Sequence, residues 1–451
     1  MTQLSEAVAR YHKIVESESF QKSGWAEAFQ EKMVAQRLAN GGRPICPFLR
    51  PHFITQRQFV ALARAGEALA SAVERIKDMA LQNPALMARM ELLPAEKMLA
   101  AIDPGYAHFS VAAMLDSHIH NGELRVVGYN ADAPSGIAYG EALGDLFYDC
   151  PPVKEFRKKY ALTKVGGKKH LLQALLKAWK EFGGERKPQI AILEFRPQFQ
   201  TEESGELVLL REFFQREGYN TEIVVPDQLE YRNGALSRGD FRIDLVYRRM
   251  LVEEFLVRWD LTHPLVRAYR ERAICMVNSF RAELAQKKAI FDLLTDDMIV
   301  ATFPAAERKV IREVIPWTRV VSQRKTTYKD TTVDLVEFIL KNRQTLVLKP
   351  NSSTGDLHSF NGWETDEAGW ERALKGALRA PYVVQERVST IREVFPVFMY
   401  GALEMRDMEV DVHPHTYLGK VQGCSAWLRA ATPSGFTTVA GPAPVFILES
   451  K

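Results

Sequence analysis

A regular alternation of short apolar runs with helical patterns constrains the fold more than any other feature of the chain. The runs are rich in β-branched residues and are bounded by turn residues, which is typical of strands. Between two of them, residues 206–217 have helical spacing, which completes a strand–helix–strand unit. This alternation predicts an α/β layer. The predicted strands cover residues 109–120, 124–129, 189–194, 221–225 and 244–247.

A second alternation follows residue 316 and leads into a strand-rich tail. It predicts helices over 333–341 and 367–378 and strands over 345–349 and 382–386. Apolar runs broken by Gly and Pro then predict antiparallel strands to the end of the chain. These cover residues 395–403, 418–428, 437–440 and 445–448.

The first hundred residues are predicted to be mainly helical. Apolar residues recur near every 3.6 positions from Thr55, a suitable N-cap, to about Gln82, so we expect a long amphipathic helix there. A chain of 451 residues exceeds what one core usually serves. We therefore predict three units, which are an N-terminal helical region (1–100), a central α/β segment (101–315) and a third segment (316–451).

Charge and composition argue against several classes of protein. The 59 Lys plus Arg against 56 Asp plus Glu leave a net charge of +3, so no nucleic-acid partner is expected. The sequence has no run of 18 apolar residues and no signal segment, so we expect a cytoplasmic protein without a membrane partner. Cys46, Cys150, Cys275 and Cys424 lie far apart, and we expect them to be reduced and mostly buried.

A lysine at the end of a strand is the first candidate for chemistry. Residues 346–348 are apolar and deliver Lys349 into a loop of small polar residues, whose backbone N–H groups could surround phosphate oxygens. A strand-end lysine followed by a solvated turn is the alternative interpretation. After a predicted helix, the strand 382–386 ends in Gln-Glu, and an edge backbone there could bind an adenine.

The ordered set of such segments resembles the ATP-grasp superfamily, in particular its circularly permuted, glutathionylspermidine-synthase-like branch. The resemblance covers nearly the whole chain. It implies an ATP-grasp fold preceded by a helical region and a pre-ATP-grasp-like α/β segment. The matching segments are 40–44, 48–51, Asp116 with 129–136, 244–249, 315–319, the loop after Lys349, 362–366 and 382–388.

This resemblance implies ATP and Mg²⁺ as cofactors and a role for individual residues. The implied activity is ATP-dependent ligation of a small-molecule or peptide carboxylate to an amine through an acyl phosphate. A nucleotide- or partner-binding protein without ligation is the alternative, and a kinase on the same fold is a third hypothesis. The implied residues are Lys349, Ser352, Ser353 and Thr354 for phosphates, Gln385, Glu386 and Val388 for adenine, Asp116, Asn130 and Asp411 for magnesium, and Arg429 as a catalytic anion contact.

The sequence also departs from the pattern of this branch. Met114 and Gly128 stand where the branch has Arg and Glu, and the phosphate loop contains Asp356 in place of a glycine-rich run. The tail 435–441 also differs from the family's Asn and Gly-rich turn. We therefore expect slow turnover unless His118, His120 or residues 409–415 fill the vacated space.

The length of the loop between the strands 109–120 and 124–129 decides whether Asp116 and Asn130 lie on one face, as a shared magnesium site requires. A three-residue loop at 120–122 would pair Ile119 with Glu123 and place Asp116 and Asn130 on one face. A two-residue turn at 121–122 would send them to opposite faces.

Two further groups of polar residues have open interpretations. Asp116, His118, His120 and Asp411, His413, His415 alternate along predicted strands, so they form either a Zn, Mn or Fe site or the solvated faces of hairpins. Arg242, Arg248 and Arg249, next to Tyr247, either bind an acidic substrate or pair with Glu253 and Glu254.

Overall fold

The computed structural model describes residues 2–120, 123–197, 202–352, 358–431 and 439–449. Their α-helices are α1 (Gln3–Val15), α2 (Glu18–Gln21), α3 (Trp25–Ala35), α4 (Gln56–Gln82), α5 (Pro84–Arg89), α6 (Pro94–Ala101), α7 (Ile137–Tyr148), α8 (Pro151–Arg157), α9 (Lys168–Phe182), α10 (Gly205–Arg216), α11 (Val252–Arg258), α12 (Pro264–Arg270), α13 (Glu283–Gln286), α14 (Ile290–Leu294), α15 (Asp297–Val300), α16 (Ala305–Val314), α17 (Leu335–Lys341) and α18 (Glu367–Ala377).

The strands are β1 (Ala39–Asn40), β2 (Arg43–Pro44), β3 (His52–Thr55), β4 (Ala112–His120), β5 (Glu123–Asn130), β6 (Leu162–Lys164), β7 (Ile190–Glu194), β8 (Thr221–Val224), β9 (Glu230–Arg232), β10 (Ala235–Arg238), β11 (Phe241–Ile243), β12 (Leu245–Arg249), β13 (Cys275–Val277), β14 (Thr318–Val320), β15 (Lys325–Tyr328), β16 (Thr331–Asp334), β17 (Leu346–Pro350), β18 (Phe360–Asn361), β19 (Tyr382–Glu386), β20 (Ile391–Met399), β21 (Ala402–Tyr417), β22 (Lys420–Ala430) and β23 (Ala440–Leu448).

The largest sheet draws strands from all parts of the chain. Its order is β3-β23-β22-β21-β4-β5, with β20 paired to β21 and β6 paired to β23. Helix α4 lies against this sheet, contacting β21, β22, β23 and β3. The N-terminal and C-terminal ends of the sequence thus build one sheet, with the hairpin β4–β5 at its edge.

The central strands form a second, parallel sheet in the order β13-β12-β7-β8. Both faces of β7 are buried, because Ile190 and Ile192 pack with α9 and α10 while Ala191 and Leu193 pack on the other side with α11 and α12. Continuous apolar runs are expected of strands covered on both faces. The predicted α/β layer is therefore present.

A third, smaller sheet carries Lys349. It is antiparallel in the order β14-β19-β17-β18 and packs one face against α17 and α18 around Trp370. Leu346 and Leu348 point into this core. The opposite face, which includes Lys349, is free of these helices because side chains alternate along β17.

In the tail, one predicted strand was wrong and another was correct but too short. The predicted strand 395–403 spans a turn, because β20 and β21 form a hairpin in which Met399 pairs with Ala402. Tyr400 and Gly401 both have positive φ there, as a type I′ turn requires. The predicted strand 445–448 is part of the longer β23, whose Pro442 and Pro444 precede its pairing with β3 and β6. Residues 437 and 438 lie outside the described residues.

The four cysteines are free and buried, as predicted. No helix within the described ranges is both long enough and apolar enough to cross a bilayer.

Candidate functional site

Lys349 is half-buried on the face of the small sheet that lies opposite α17 and α18. Its Nζ donates to Oε1 of Gln385 at 2.7 Å, and Gln385 Nε2 donates to Oγ1 of Thr318 at 3.0 Å. The register explains this contact, since Gln385 pairs with Val347 and therefore shares the face of Lys349. Burial and the charge of Lys288 lower the pKa of Lys349 to about 8.

Lys288, which sequence analysis did not identify, is the second cation of this site. Its backbone N–H donates to Asn351 O at 3.0 Å, and the N–H of Ala289 donates to Asn351 Oδ1 at 2.8 Å. Burial lowers the pKa of Lys288, while the charge of Asp116 opposes that shift. The adjacent Lys287 and Lys288, just before α14, were the signal in the sequence that could have identified this cation.

Lys287 connects the start of the predicted phosphate loop to three helices, α6, α11 and α13. Its Nζ lies 2.8 Å from carboxylate oxygens of Glu96, Glu253 and Glu283 and 2.7 Å from Oγ of Ser352. The three glutamates are close enough together to share a cation, and the ammonium group of Lys287 lies among them. Ser352 is therefore anchored by a lysine. The other predicted phosphate contacts, Ser353 and Thr354, and also Asp356, lie outside the described residues.

Asp116 and Asn130 lie on the same face of the hairpin β4–β5, and Nδ2 of Asn130 donates to Oδ2 of Asp116 at 3.1 Å. The predicted reason was wrong. His120 pairs with Glu123, which corresponds to the two-residue alternative. A β-bulge between Asp116 and Ser117 then leaves Val127 unpaired and pairs Asp116 with Gly128. This shift by one residue returns Asp116 and Asn130 to the same face of the hairpin. Residues 121 and 122 themselves lie outside the described ranges.

Two carboxylate–imidazole pairs connect β4 to β21. Asp116 Oδ1 is 3.1 Å from His413 Nδ1, and Asp411 Oδ1 is 3.1 Å from His118 Nδ1. Burial acts to raise the pKa of Asp116, but contacts with His413 and then Asn130 outweigh it, so this pKa is lowered. The contact with Asp116 likewise outweighs burial and raises the pKa of His413.

These pairs match neither of the two interpretations given for these aspartates and histidines, which were a transition-metal site and the solvated faces of hairpins. The sets Asp116, His118 and Asp411, His413, His415 do face one way, but His118 and His415 are buried, so they are not a solvated hairpin face. The described part of the chain gathers three metal-ligating side chains only at the glutamates around Lys287. The side chain of His120 is outside the described set.

The remaining polar groups on this face form an ion-pair chain. Arg429 Nε donates to Glu409 Oε2 at 2.8 Å, and its Nη1 lies 3.8 Å from Asp411. Arg429 is thus bound by two carboxylates, and Asp411 already contacts both Arg429 and His118. The pair formed by Asp411 and His118 lies next to the pair formed by Asp116 and His413.

The predicted adenine residues are divided between two faces. Gln385 is beside Lys349, whereas Glu386 accepts bonds from Trp317 N–H at 3.2 Å and from Tyr328 O–H at 2.7 Å. Val388 follows the end of β19 and is half-buried. The suggestion of an edge strand was wrong, because β19 lies between β14 and β17.

The arginine cluster is a set of ion pairs with partners other than those predicted. Arg248 pairs with Asp132, and both are fully buried. Arg249 pairs with Glu206 at 3.0 Å. Arg242 lies on the surface, 3.9 Å from Asp244.

A cavity of about 870 Å³ opens beside the carboxylate–imidazole pairs. Met114 and His413 line it, so it adjoins the place where the branch pattern would put an arginine. Its other walls come from the hairpin β1–β2, the starts of α7 and α10, and Trp427. Cavities of this size take small molecules or short peptides.

No protein-family model matches this sequence, and the comparison with curated proteins gave no match. Among solved structures, a glutathione synthetase-like effector, GSS30, from Globodera pallida in its apo form superimposes with a TM-score of 0.64 and 14% identity over 96% of this chain and 98% of that chain. A candidate γ-glutamylcysteine synthetase from Methylobacillus flagellatus has a TM-score of 0.45 and 10% identity over 88% of this chain and 89% of that chain. An ATP-grasp RimK domain protein from Sphaerobacter thermophilus has a TM-score of 0.26 and 17% identity over 57% of this chain and 90% of that chain.

The first likeness covers nearly all of both chains and shows a shared fold. The predicted α/β class is thereby confirmed, and the shared fold is consistent with the predicted ATP-grasp fold. The circular permutation, the assignment to the glutathionylspermidine-synthase-like branch and the three unit boundaries remain predictions.

Proposed function

We propose that this protein is a cytoplasmic, magnesium-dependent ligase that uses ATP to join a carboxylate to an amine on a small molecule or peptide. In such a reaction a carboxylate oxygen attacks the γ-phosphorus of ATP, ADP leaves, and the amine then displaces phosphate from the acyl phosphate. The protein must hold a polyphosphate, a carboxylate and an amine close together.

One observation carries the proposal. Lys349 donates to Gln385 on one face of the small sheet, and Lys288 lies close enough for its charge to lower the pKa of Lys349. Among the described residues, Asp116 is the one carboxylate whose charge acts on both lysines, and one carboxylate does not balance two ammonium groups. Two neighbouring buried ammonium groups are costly unless an anion compensates them. A polyphosphate bound on the face of Lys349 and Gln385 would supply that charge.

The oxygen atoms of Asp116 and Asn130 suit magnesium, which proteins usually hold with one or two carboxylates plus substrate phosphates. We propose these two residues as its protein ligands, with Asp411 as a weaker candidate because the guanidinium group of Arg429, a permanent cation, lies beside Asp411, whereas Asp116 is contacted by His413 and Asn130. Bound magnesium would neutralise charge on the phosphates.

The imidazole of His413 supports catalysis despite the departures at 114 and 128. His413 and Met114 line the same cavity wall, and His413 is held by Asp116. We propose that His413 contributes the polar contact that Met114 lacks. The position of Asp116 also accounts for Gly128, since a Cβ at residue 128 would lie 2.4 Å from Asp116 Oδ2.

Nucleotide binding without ligation is the alternative, favoured by the uncharged Met114 and Gly128. To separate the two, ADP release would be measured with ATP, magnesium and panels of carboxylates and amines. We expect release with a competent pair, and a drop of about tenfold or more in His413→Gln but not in His170→Gln. ATP binding without ADP release from any pair would support the alternative.

A further inference from the structure

The cavity beside His413 has a charge imbalance that points to its ligand. Several carboxylates line it, but they are already bound by the protein. Glu206 accepts from Gly136 N–H at 2.6 Å and pairs with Arg249 at 3.0 Å. Glu203 pairs with Arg211 at 2.8 Å, and Glu202 also has a partner. The acidic wall therefore does not require a cationic ligand.

Arg43 is different from these carboxylates. Arg43 is exposed, its guanidinium group has no hydrogen bond or ion pair to the residues that the structure describes, and it is the one lysine or arginine among the described residues of the cavity lining. An arginine without an internal partner at the wall of a cavity is suited to bidentate recognition of a carboxylate.

The segment that carries Arg43 has a defined position. Arg43 pairs with Asn40 in the hairpin β1–β2, and the intervening Gly41 and Gly42 have φ of 54° and 74°, a conformation that favours glycine. The backbone after the hairpin packs closely on β23, since a Cβ at Gly441 would lie 2.3 Å from Ile45 O. The guanidinium group therefore extends from an exposed tight turn whose following backbone is fixed against β23.

Trp427 supplies an apolar surface in the same cavity. Its side chain is 44% exposed although it lies on the central strand β22, and it lines the cavity. An exposed indole offers a large contact area for the carbon skeleton of a ligand. The cavity thus combines the unpaired cation of Arg43 with the exposed indole of Trp427.

We propose that Arg43 binds a carboxylate of the substrate and that the cavity selects an amino acid or short peptide with a free carboxylate. This inference rests on the proposed ligase function, because the cavity adjoins the nucleotide site through His413. A phosphate ion also matches an arginine, and it is included in the test for that reason.

The test measures binding without turnover. Gly-X dipeptides and Gly-X-Gly tripeptides, each as the free acid and as the C-terminal amide, would be titrated with ADP and magnesium present, together with inorganic phosphate. The readout is the fluorescence change lost in Trp427→Phe, which isolates Trp427 from the other six of seven tryptophans. We expect at least one acid to bind, its amide to bind about tenfold or more weakly, and Arg43→Ala to lose a similar factor, with Arg43→Lys intermediate.

Three results would overturn the inference: equal binding of acid and amide, unchanged binding in Arg43→Ala, or phosphate binding as well as any peptide acid. Absence of peptide binding while ATP–magnesium still binds would also overturn it and leave the nucleotide site standing. Lys349→Ala should keep peptide binding and lose the nucleotide. Failure of the wild-type protein to bind ATP–magnesium would instead contradict the proposed function.

Discussion

At the scale of single residues, the candidate site depends on charges paired across strands. Asp116 contacts His413 on β21 and Asn130 on β5, and its charge also acts on Lys349 of the small sheet and on Lys288 before α14. Each contact fixes a side chain that would otherwise rotate. Gly128 leaves the space in which the Asp116 carboxylate lies.

Gly128→Ala should therefore disturb the site. The new Cβ would lie 2.4 Å from Asp116 Oδ2, so the carboxylate must rotate away from Asn130 and His413. Lost hydrogen bonds of a charged group cost about 1–3 kcal/mol. We expect a loss of this size in the free energy of unfolding, measured by urea titration, together with weaker binding of ATP–magnesium.

Gly376→Ala is the matched control. Gly376 lies in the helix α18, and a Cβ there meets nothing within 4 Å. Replacing a helical glycine by alanine stabilises by about 0.5–1 kcal/mol. If Gly128→Ala also left stability unchanged or raised it, the proposed packing of Asp116 over Gly128 would be wrong.

His415 should make the protein sensitive to acid. It is buried with Nε2 2.9 Å from Ser425 Oγ, and burial lowers its pKa to about 3. An unfolded histidine has a pKa near 6.5. The unfolded state therefore binds the proton first as pH falls from 6.5 towards 3, and stability is lost over that range, by about 2 kcal/mol at pH 5.

The corresponding measurement is the free energy of unfolding at pH 7 and pH 5 in wild type and in His415→Gln. The variant should lose less stability between the two values, because it lacks this titrating group. His170→Gln, on the helix α9, should behave as wild type. An identical pH dependence in His415→Gln would show that His415 is not the group responsible.

At the scale of elements, local signals in the sequence set the ends of helices and strands. The N-terminus of α4 shows this, because Thr55 Oγ1 accepts from Gln58 N–H at 3.2 Å while Thr55 N–H donates to Gln58 Oε1 at 2.8 Å. This capping box satisfies two groups that the first helical turn leaves unpaired. Helix α4 then packs on the large sheet through residues such as Leu69 and Val73.

Thr55→Ala should destabilise the protein by about 1 kcal/mol, because the hydroxyl acceptor of the cap is lost. Thr55→Ser keeps the hydroxyl and should stay within a few tenths of a kcal/mol of wild type. Both values come from the shift of the denaturation midpoint at constant slope. Equal stability of the alanine and serine variants would contradict a role for the cap.

Elements could be predicted where the signal is local and were missed where it depends on pairing. The periodicity from Thr55 predicted α4, and the apolar run 382–386 matches β19. The bulge at Val127 leaves no mark in the sequence, since it arises from how β4 and β5 pair. The turn at Tyr400–Gly401 was missed because tyrosine is an uncommon residue at positive φ.

The site itself was predicted in part, for the same reason. Lys349, Gln385, Asp116 and Asn130 were identified from motifs, and the structure brings each pair into contact. The role of Lys288 and the partners of His413 depend on distant segments meeting, which spacing along the chain does not reveal. The cavity wall bearing Arg43 likewise forms only when β23 packs beside the first strands.

At the scale of the whole molecule, the fold brings two sheets together at one place. The small sheet provides Lys349 and Gln385, and the large sheet provides Asp116 and His413. The segment before α14 contributes Lys288 between them. Residues more than 200 positions apart in the chain thus face one site, so binding of nucleotide should stabilise the entire fold.

The central claim is that a nucleotide binds between these sheets through Lys349. Thermal unfolding with and without ATP–magnesium tests it, since a ligand at about 100 times its Kd stabilises by about 2.7 kcal/mol. We predict a clear rise in Tm for the wild type and for Lys375→Ala, a control lysine exposed on α18, and little rise for Lys349→Ala. An equal rise in Lys349→Ala, or none in the wild type, would contradict the account.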